Sequence, residues 1–568
     1  MRHPRSLRLA AAVICVALLA PILNVTSASA AGDTAFVVNL NRPSSQIPNV
    51  FSNMAFFNYP SSWGNKRIDA KPPLSVRNGA PWLREAYLQY ATGGCYKPFL
   101  GCRTNRDLFV DPANPGSGYD FYPLQRAVRN VVRQGLKPYI DLGGVPVAFA
   151  SSPWIDLFFR VNSRPPVNYT QYHDYIKALL QSFVSEFGLN EVRSWRWSVV
   201  NEYENRSSFE TPDRNWLSTQ NAYFKLYDYT VGALEEVLGA QYVNVGAHCM
   251  CVIEGMWDER NLLNHVVQGP NLYNGGPNTQ LDFVAVSFYE PKPGQPGTLA
   301  ALDATISGMR TRANQLGLAN LPIGIDEGGI QWGFDDKPLM YSNTGLQWQS
   351  SWTALLFKRM LDLNVAWYGS LSMSSKGLPG GVRAAHVNVI DLASRLAGAQ
   401  RISPERFGSP VNGADQVQSV AAYNAQTKTA YVIVLNHHPS PSARTAEPVS
   451  IQLKRIKPAS GTTVNVKRWV VDDTHANYWP TWQWTADACQ LPDSAYKWSK
   501  QSSEVPSHLA PAYQYCWKFF RSYYEEAAAL KVVSSSNPST PSNLLNLSTT
   551  LQHHGVTMYE ISNATVVP

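Results

Sequence analysis

The chain has 568 residues, a formal net charge of +7, 16% charged residues and 12% aromatic residues, with 17 Trp and 28 Tyr. That length exceeds what one core supports, so two or more domains are expected. Lys and Arg form no dense run, which argues against a nucleic-acid partner. Beyond the first thirty residues no segment reaches the ~18 uncharged apolar residues of a membrane span.

Residues 1–30 read as a secretory signal peptide. Met1 to Arg8 holds three arginines and no acid, Leu9 to Leu23 is apolar and uncharged, and Ala28-Ser29-Ala30 offers small residues for cleavage. A secreted, extracellular chain is the expectation, with net charge reduced to +4 once Arg2, Arg5 and Arg8 are removed. Cys15 leaves with that leader, and six cysteines remain for an oxidising compartment. Cys95–Cys102 and Cys489–Cys516 are the expected disulfides; Cys249 and Cys251 would close a tight ring if paired together. No two histidines stand at ligand spacing beside these cysteines, so no metal is expected, and the carboxylate chemistry read below implies no other cofactor. Asn168, Asn205, Asn546 and Asn563 open N-glycosylation acceptor patterns, relevant only where the host glycosylates.

Residues 31–400 alternate strand-like and helical runs. The spacing predicts strands near Val50–Phe56 and at Trp82–Tyr87, Lys137–Leu142, Ser194–Val200, Tyr242–Ala247, Leu281–Ser287, Leu321–Ile325 and Val365–Ser370. Helices are predicted at Tyr169–Phe187, Asn221–Leu238, Leu299–Leu316 and Gln347–Leu363. Eight strands in such alternation suit an α/β fold, a closed (β/α)8 TIM barrel. A doubly wound sheet fits less well, because no Gly-x-Gly-x-x-Gly turn follows the first strand. Residues 401–568 change texture, to short runs such as Val417–Tyr423, Ala430–Leu435, Val449–Leu453 and Thr463–Val470 between turn residues. They predict a C-terminal antiparallel β-sandwich, to which residues 31–45 can add a strand. Ser534–Ser542 reads as a linker and Val556–Ile561 as a closing strand.

Two of the barrel runs end in a glutamate. They are Trp195-Arg-Trp-Ser-Val-Val-Asn-Glu202 and Leu321-Pro-Ile-Gly-Ile-Asp-Glu327, which place Glu202 after the fourth strand and Glu327 after the seventh. Both then stand on the C-terminal rim, where barrel enzymes carry their chemistry. Two carboxyls so placed are the minimum equipment for breaking a glycosidic bond, one as proton donor and one as nucleophile or base. Asn201 is positioned to bond a ring hydroxyl beside the reacting carbon. Trp63, Trp154, Trp332 and Trp367 fall near rim loops or strand ends, where a ring can stack on a sugar. Trp332 and Trp367 are the stronger candidates, being nearest Glu327 and the eighth strand.

Five segments in order resemble glycoside hydrolase family 39, which contains β-xylosidases and α-L-iduronidases in a clan of retaining barrel glycosidases. They are Pro138-Tyr-Ile-Asp-Leu-Gly-Gly-Val-Pro146, Asn201-Glu202, Leu281-Asp-Phe-Val-Ala-Val-Ser-Phe-Tyr289, Pro322-Ile-Gly-Ile-Asp-Glu327 followed by Trp332-Gly333, and Arg468-Trp-Val-Val-Asp-Asp-Thr-His-Ala-Asn477. The resemblance implies Glu202 as acid/base and Glu327 as nucleophile in a double displacement, with Tyr289 bonding the nucleophile and Arg84 supporting it. It departs from the family pattern at Tyr203, where a proline is usual, at Ser287, where a histidine is usual, and at Ala86 in an Arg-x-His motif. The expected partner is an oligo- or polysaccharide. Hydrolysis is the leading function, with a transglycosylase using the same pair and an inert carbohydrate-binding barrel as the alternatives.

Overall fold

A computed structural model of the chain describes residues 34–56, 80–97, 99, 102, 106–156, 159–251, 255–290, 299–330, 347–370, 382–410, 416–440, 443–492 and 507–568. The predicted leader, Trp63 and Trp332 lie outside them. Two strands, β1 (Thr34–Asn39) and β2 (Pro43–Gln46), precede the barrel. The barrel strands are β3 (Asn53–Phe56), β4 (Glu85–Leu88), β5 (Lys137–Asp141), β6 (Arg196–Asn201), β7 (Val245–Cys249), β8 (Phe283–Glu290), β9 (Ile323–Ile330) and β10 (Tyr368–Ser370). They close as a parallel barrel through the β10–β3 pairing. Helices α1 (Tyr122–Arg133), α2 (Tyr169–Phe187), α3 (Trp216–Leu238), α4 (Asn261–Gln268), α5 (Ala300–Gln315), α6 (Gln347–Asp362) and α7 (Ala385–Ser394) accompany them.

Side chains alternate across each strand, so one set meets the helices and the other fills the barrel. On β8, Val284, Val286 and Phe288 join the large helix-facing core, while Phe283 and Ala285 pack inward with Tyr87, Tyr139 and Trp367. Gly324 makes room for this filling, since a Cβ there would lie 2.0 Å from the Trp367 ring. The interior is a packed floor, and the cleft lies above it.

After the barrel come β11 (Gln400–Ile402), β12 (Glu405–Phe407), β13 (Val417–Asn424), β14 (Thr429–Asn436), β15 (Glu447–Lys454), β16 (Ile456–Pro458) and β17 (Asn465–Val471). Three helices follow, α8 (Trp479–Ala488), α9 (Ala510–Phe519) and α10 (Arg521–Ala528), then β18 (Val532–Ser536), β19 (Leu544–Leu551), β20 (Val556–Ser562) and β21 (Ala564–Val566). A four-stranded sheet, β12-β1-β15-β19, faces a seven-stranded one, β18-β17-β20-β14-β13-β11-β2. Their shared core includes Phe36, Val38, Val432, Val434, Ile451, Leu453 and Ile561. The opposite face of the larger sheet, with Val420, Ala422, Ile433 and Met558, belongs to the barrel's own core. There α6 meets the sandwich: Trp348 Nε1 donates to the His438 carbonyl (2.9 Å), Gln347 Nε2 to that of His553 (2.8 Å), and Ser351 Oγ lies 2.8 Å from His437 Nδ1.

Two features differ from the sequence expectation. The C-terminal region is not purely β: α8–α10 pack around Trp482, Trp517 and Tyr524, with the Cys489–Cys516 disulfide tying α8 to α9. Ser534–Ser536, expected in a linker, extends β18, because their backbone pairs with Val466–Arg468 of β17. The six cysteines beyond the predicted leader are bridged, as Cys95–Cys102, Cys249–Cys251 and Cys489–Cys516. Among the described residues, no helix is long and apolar enough to cross a membrane.

Candidate active site

Regular alternation would turn Glu327 the wrong way. On β9, Ile323 and Ile325 face the helices, so Glu327, two residues on, would follow them. A β-bulge prevents this: Ile325 pairs with Val286 and Glu327 with the very next residue, Ser287, leaving Asp326 as the extra residue. Asp326 points inward, accepting hydrogen bonds from Tyr139 Oη (2.5 Å) and Trp367 Nε1 (2.6 Å), and Glu327 is re-aimed into the cleft. The same device recurs on β6. Ser198 pairs with Gly246 and Asn201 with His248, three steps opposing two. Val200 takes up the irregularity at φ 59°, and Glu202 follows at φ 50°. A β-branched residue in the left-handed region is strained, of order 1–3 kcal/mol. Here that strain directs Asn201 and Glu202 over the barrel mouth.

The two carboxyls meet different surroundings. Glu327 is buried; its Oε2 accepts from Gln89 Nε2 (2.5 Å) and its Oε1 from the Tyr289 hydroxyl. Burial, then the neighbouring Glu327, push the Tyr289 phenol well above its ordinary value, so it remains a donor. Glu202 is buried as well; its Oε1 accepts from Ser287 Oγ (2.7 Å) and its Oε2 from Asn205 Nδ2 (2.9 Å). Burial raises its pKa, opposed by these two hydrogen bonds. Both of its partners are neutral, and neither supplies the positive charge that would hold the carboxyl ionised. Two further carboxyls below the cleft, Asp141 and Asp326, are pushed by burial up to about 7 and about 6.

Asn201 links the pair. Its Oδ1 accepts from Gln89 Nε2 (3.0 Å) and its Nδ2 donates to Tyr90 Oη (3.0 Å). One Gln89 amide therefore bridges Asn201 and Glu327. Behind Glu202, Ser287 Oγ lies 2.9 Å from His248 Nε2, and His248 Nδ1 lies 3.1 Å from Tyr87 Oη. Burial holds the His248 pKa down at about 3, so the ring is neutral.

The structure thus brings together Glu202, Glu327, Asn201 and Tyr289 of the residues read from sequence. Two others are corrected. Arg84, expected to support the nucleophile, precedes β4, which begins at Glu85, and so stands at the opposite mouth. Its exposed guanidinium donates to the carbonyls of Pro81 and Leu83. Trp367 precedes β10 and is floor packing, with Arg196 lying 3.8 Å from its ring centroid. Trp154 is 60% exposed. Of the three departures from the family pattern, only Ser287 touches the site: Ala86 faces the helices, and Tyr203 stacks on Tyr223 and donates to the Glu259 carbonyl (3.0 Å).

Sequence reasoning missed Gln89, His248 and Asn205. The first two were legible by alternation, because Glu85, Tyr87 and Gln89 share one face, as do Gly246 and His248. Asn205 had drawn notice only as a glycan acceptor, yet its amide is spent on Glu202.

Residues 105–332, a stretch that holds both glutamates, match the model of glycosyl hydrolases family 39. Across this segment the chain is similar to that family. A β-xylosidase of Caldicellulosiruptor saccharolyticus is 31% identical over 119 residues, which is 21% of this chain and 23% of that relative, so the alignment spans about a quarter of its length. Among solved structures, a monomeric β-xylosidase from Caulobacter crescentus CB15 superimposes with a TM-score of 0.64 at 14% identity, covering 93% of this chain and 99% of the other. The bacterial orthologue of human α-L-iduronidase gives 0.66 at 12% identity, over 94% and 84%. At such identities these structures support the barrel-and-sandwich fold alone.

Proposed function

We propose that this chain is an exported retaining glycosidase acting on oligo- or polysaccharide, with Glu327 as nucleophile and Glu202 as acid/base. The observation that carries this reading is the unequal setting of the two buried glutamates. Gln89 and the Tyr289 phenol donate to Glu327 and favour its carboxylate, whereas burial raises the pKa of Glu202 against the two hydrogen bonds it accepts, the direction a proton donor needs. In the first half-reaction a Glu327 oxygen bonds to the anomeric carbon while the glycosidic C–O bond breaks and Glu202 protonates the leaving oxygen. In the second, Glu202 takes a proton from water, whose oxygen displaces the ester and frees the sugar with its original configuration.

The named relative makes a β-xyloside the first substrate to try. The test is a panel of aryl xyloside, arabinoside, glucoside, galactoside and uronide. Glu327→Ala and Glu202→Ala should each nearly abolish turnover on whichever substrate the wild type cleaves. Azide should rescue Glu327→Ala with a glycosyl azide of inverted configuration. Normal turnover in either variant sinks that residue's role, and a wild type inert on all five sugars sinks the activity.

A further inference from the structure

The bonds behind Glu202 have a direction. A serine hydroxyl owns one hydrogen, and that of Ser287 is given to Glu202 Oε1 at 2.7 Å. Its oxygen, 2.9 Å from His248 Nε2, is then the acceptor, so Nε2 carries the imidazole proton. Nδ1 is left bare and accepts from the Tyr87 hydroxyl at 3.1 Å. A second acceptor for Tyr87, Asn201 Oδ1, is farther away at 3.3 Å and already served by Gln89. Tyr87, His248 and Ser287 are all buried, so no bulk water competes for these links. They come from inward positions on three strands, β4, β7 and β8.

We infer that His248 is a positioning residue for the acid/base: through Ser287 it fixes Glu202 Oε1 as an acceptor, so that the transferable proton resides on Oε2. A hydroxyl alone is a free rotor and can equally accept a proton from Oε1, which would turn the acid away from the sugar. The Nε2–H of His248 blocks that orientation, because Ser287 Oγ would then face two donors with its own hydrogen unplaced. Asn205 Nδ2 bonds Oε2 through one lone pair and leaves the other for the proton. The inference rests on the proposed acid/base role of Glu202, and its test must separate the two.

That test compares 4-nitrophenyl and phenyl glycosides of the sugar the panel selects. A 4-nitrophenolate departs without protonation, whereas phenol needs the acid. Ser287→Ala and His248→Leu should lose about tenfold more kcat/KM on the phenyl than on the 4-nitrophenyl substrate, within the range general acids contribute. His248→Gln, whose Nε2–H reaches a similar place, should restore most of the phenyl activity. A packing role alone would lower both substrates alike, together with the melting temperature. Equal losses on the two substrates, no loss in Ser287→Ala, or His248→Gln no better than His248→Leu would each overturn the inference. Glu202→Ala is run beside them. If it shows no preference for the nitrophenyl substrate, the acid/base reading itself falls; if it does and Ser287→Ala does not, only the positioning role falls.

Discussion

Replacing Gln89 by methionine, a side chain of nearly the same length without polar hydrogens, removes two hydrogen bonds at once. The one to Glu327 Oε2 is 2.5 Å long and charge-assisted, a class contributing about 1.5–3 kcal/mol, and the 3.0 Å bond to Asn201 adds about 0.5–1.5 kcal/mol. Gln89 is 1% exposed, so water does not step in for the lost amide. If about 2–3 kcal/mol of this reaches the transition state, kcat/KM falls by about 30- to 150-fold, at 1.36 kcal/mol per tenfold. Steady-state kinetics on the active aryl glycoside measure it, with thermal unfolding alongside to show that the variant is folded. A folded Gln89→Met chain within about threefold of wild type would refute the reasoning, because a bridge worth this much cannot be silent if Glu327 is the nucleophile.

Three further outcomes follow from the buried titratable groups. Glu202 has a raised pKa and is needed protonated, so kcat/KM should fall on the alkaline side above the ordinary glutamate value of about 4.3; a profile already falling below that pH contradicts the assignment. Glu204, pushed by burial up to about 8, binds its proton more tightly folded than unfolded, so its contribution to stability is fully present at low pH and is lost as pH rises from about 4.3 through 8. Glu204→Gln should flatten the dependence of the melting temperature on pH, and a variant keeping the wild-type slope denies the cause. His554, between the sandwich and α6, is held down at about 3 by burial. Its contribution is complete above about 6.5 and is lost as pH falls toward 3, of order 3 kcal/mol at pH 4. His554→Phe should therefore lose less stability than wild type between pH 7 and pH 4 in calorimetry; an identical loss rules this out.

The barrel was legible because eight strand–helix alternations have few other solutions, and helix α2 spans the residues its spacing predicts, Tyr169–Phe187. Strand ends were less so. Apolar approach residues such as Trp82 and Leu83 look like strand, and the resulting offset sent Arg84 to the wrong mouth. The glutamates were found by their position at the ends of apolar runs, but the bulges at Val200 and Asp326 that aim them leave no mark in a hydrophobic pattern. Trp367 fails for the opposite reason: a large ring at a strand terminus looks the same whether it floors a barrel or cradles a ligand. The helices α8–α10 went unread because Trp, Tyr and Pro clusters resemble turn-rich β sequence.

The placement of β1 constrains how this molecule is made. Its backbone lies between β12 and β15, and Thr34 Oγ1 donates to Glu447 Oε1 across 413 residues of sequence. At about 5–20 residues per second, the ribosome delivers that partner roughly 20–80 s after β1 itself. For that interval β1 is an unpaired strand carrying Phe36 and Val38, open to any other strand that passes. The barrel, whose strands end at Ser370, can close long before. Assembly should therefore run from the middle outward, with the sandwich as the slow and aggregation-exposed step, and a fragment cut at residue 400 would leave β1 permanently without its neighbours.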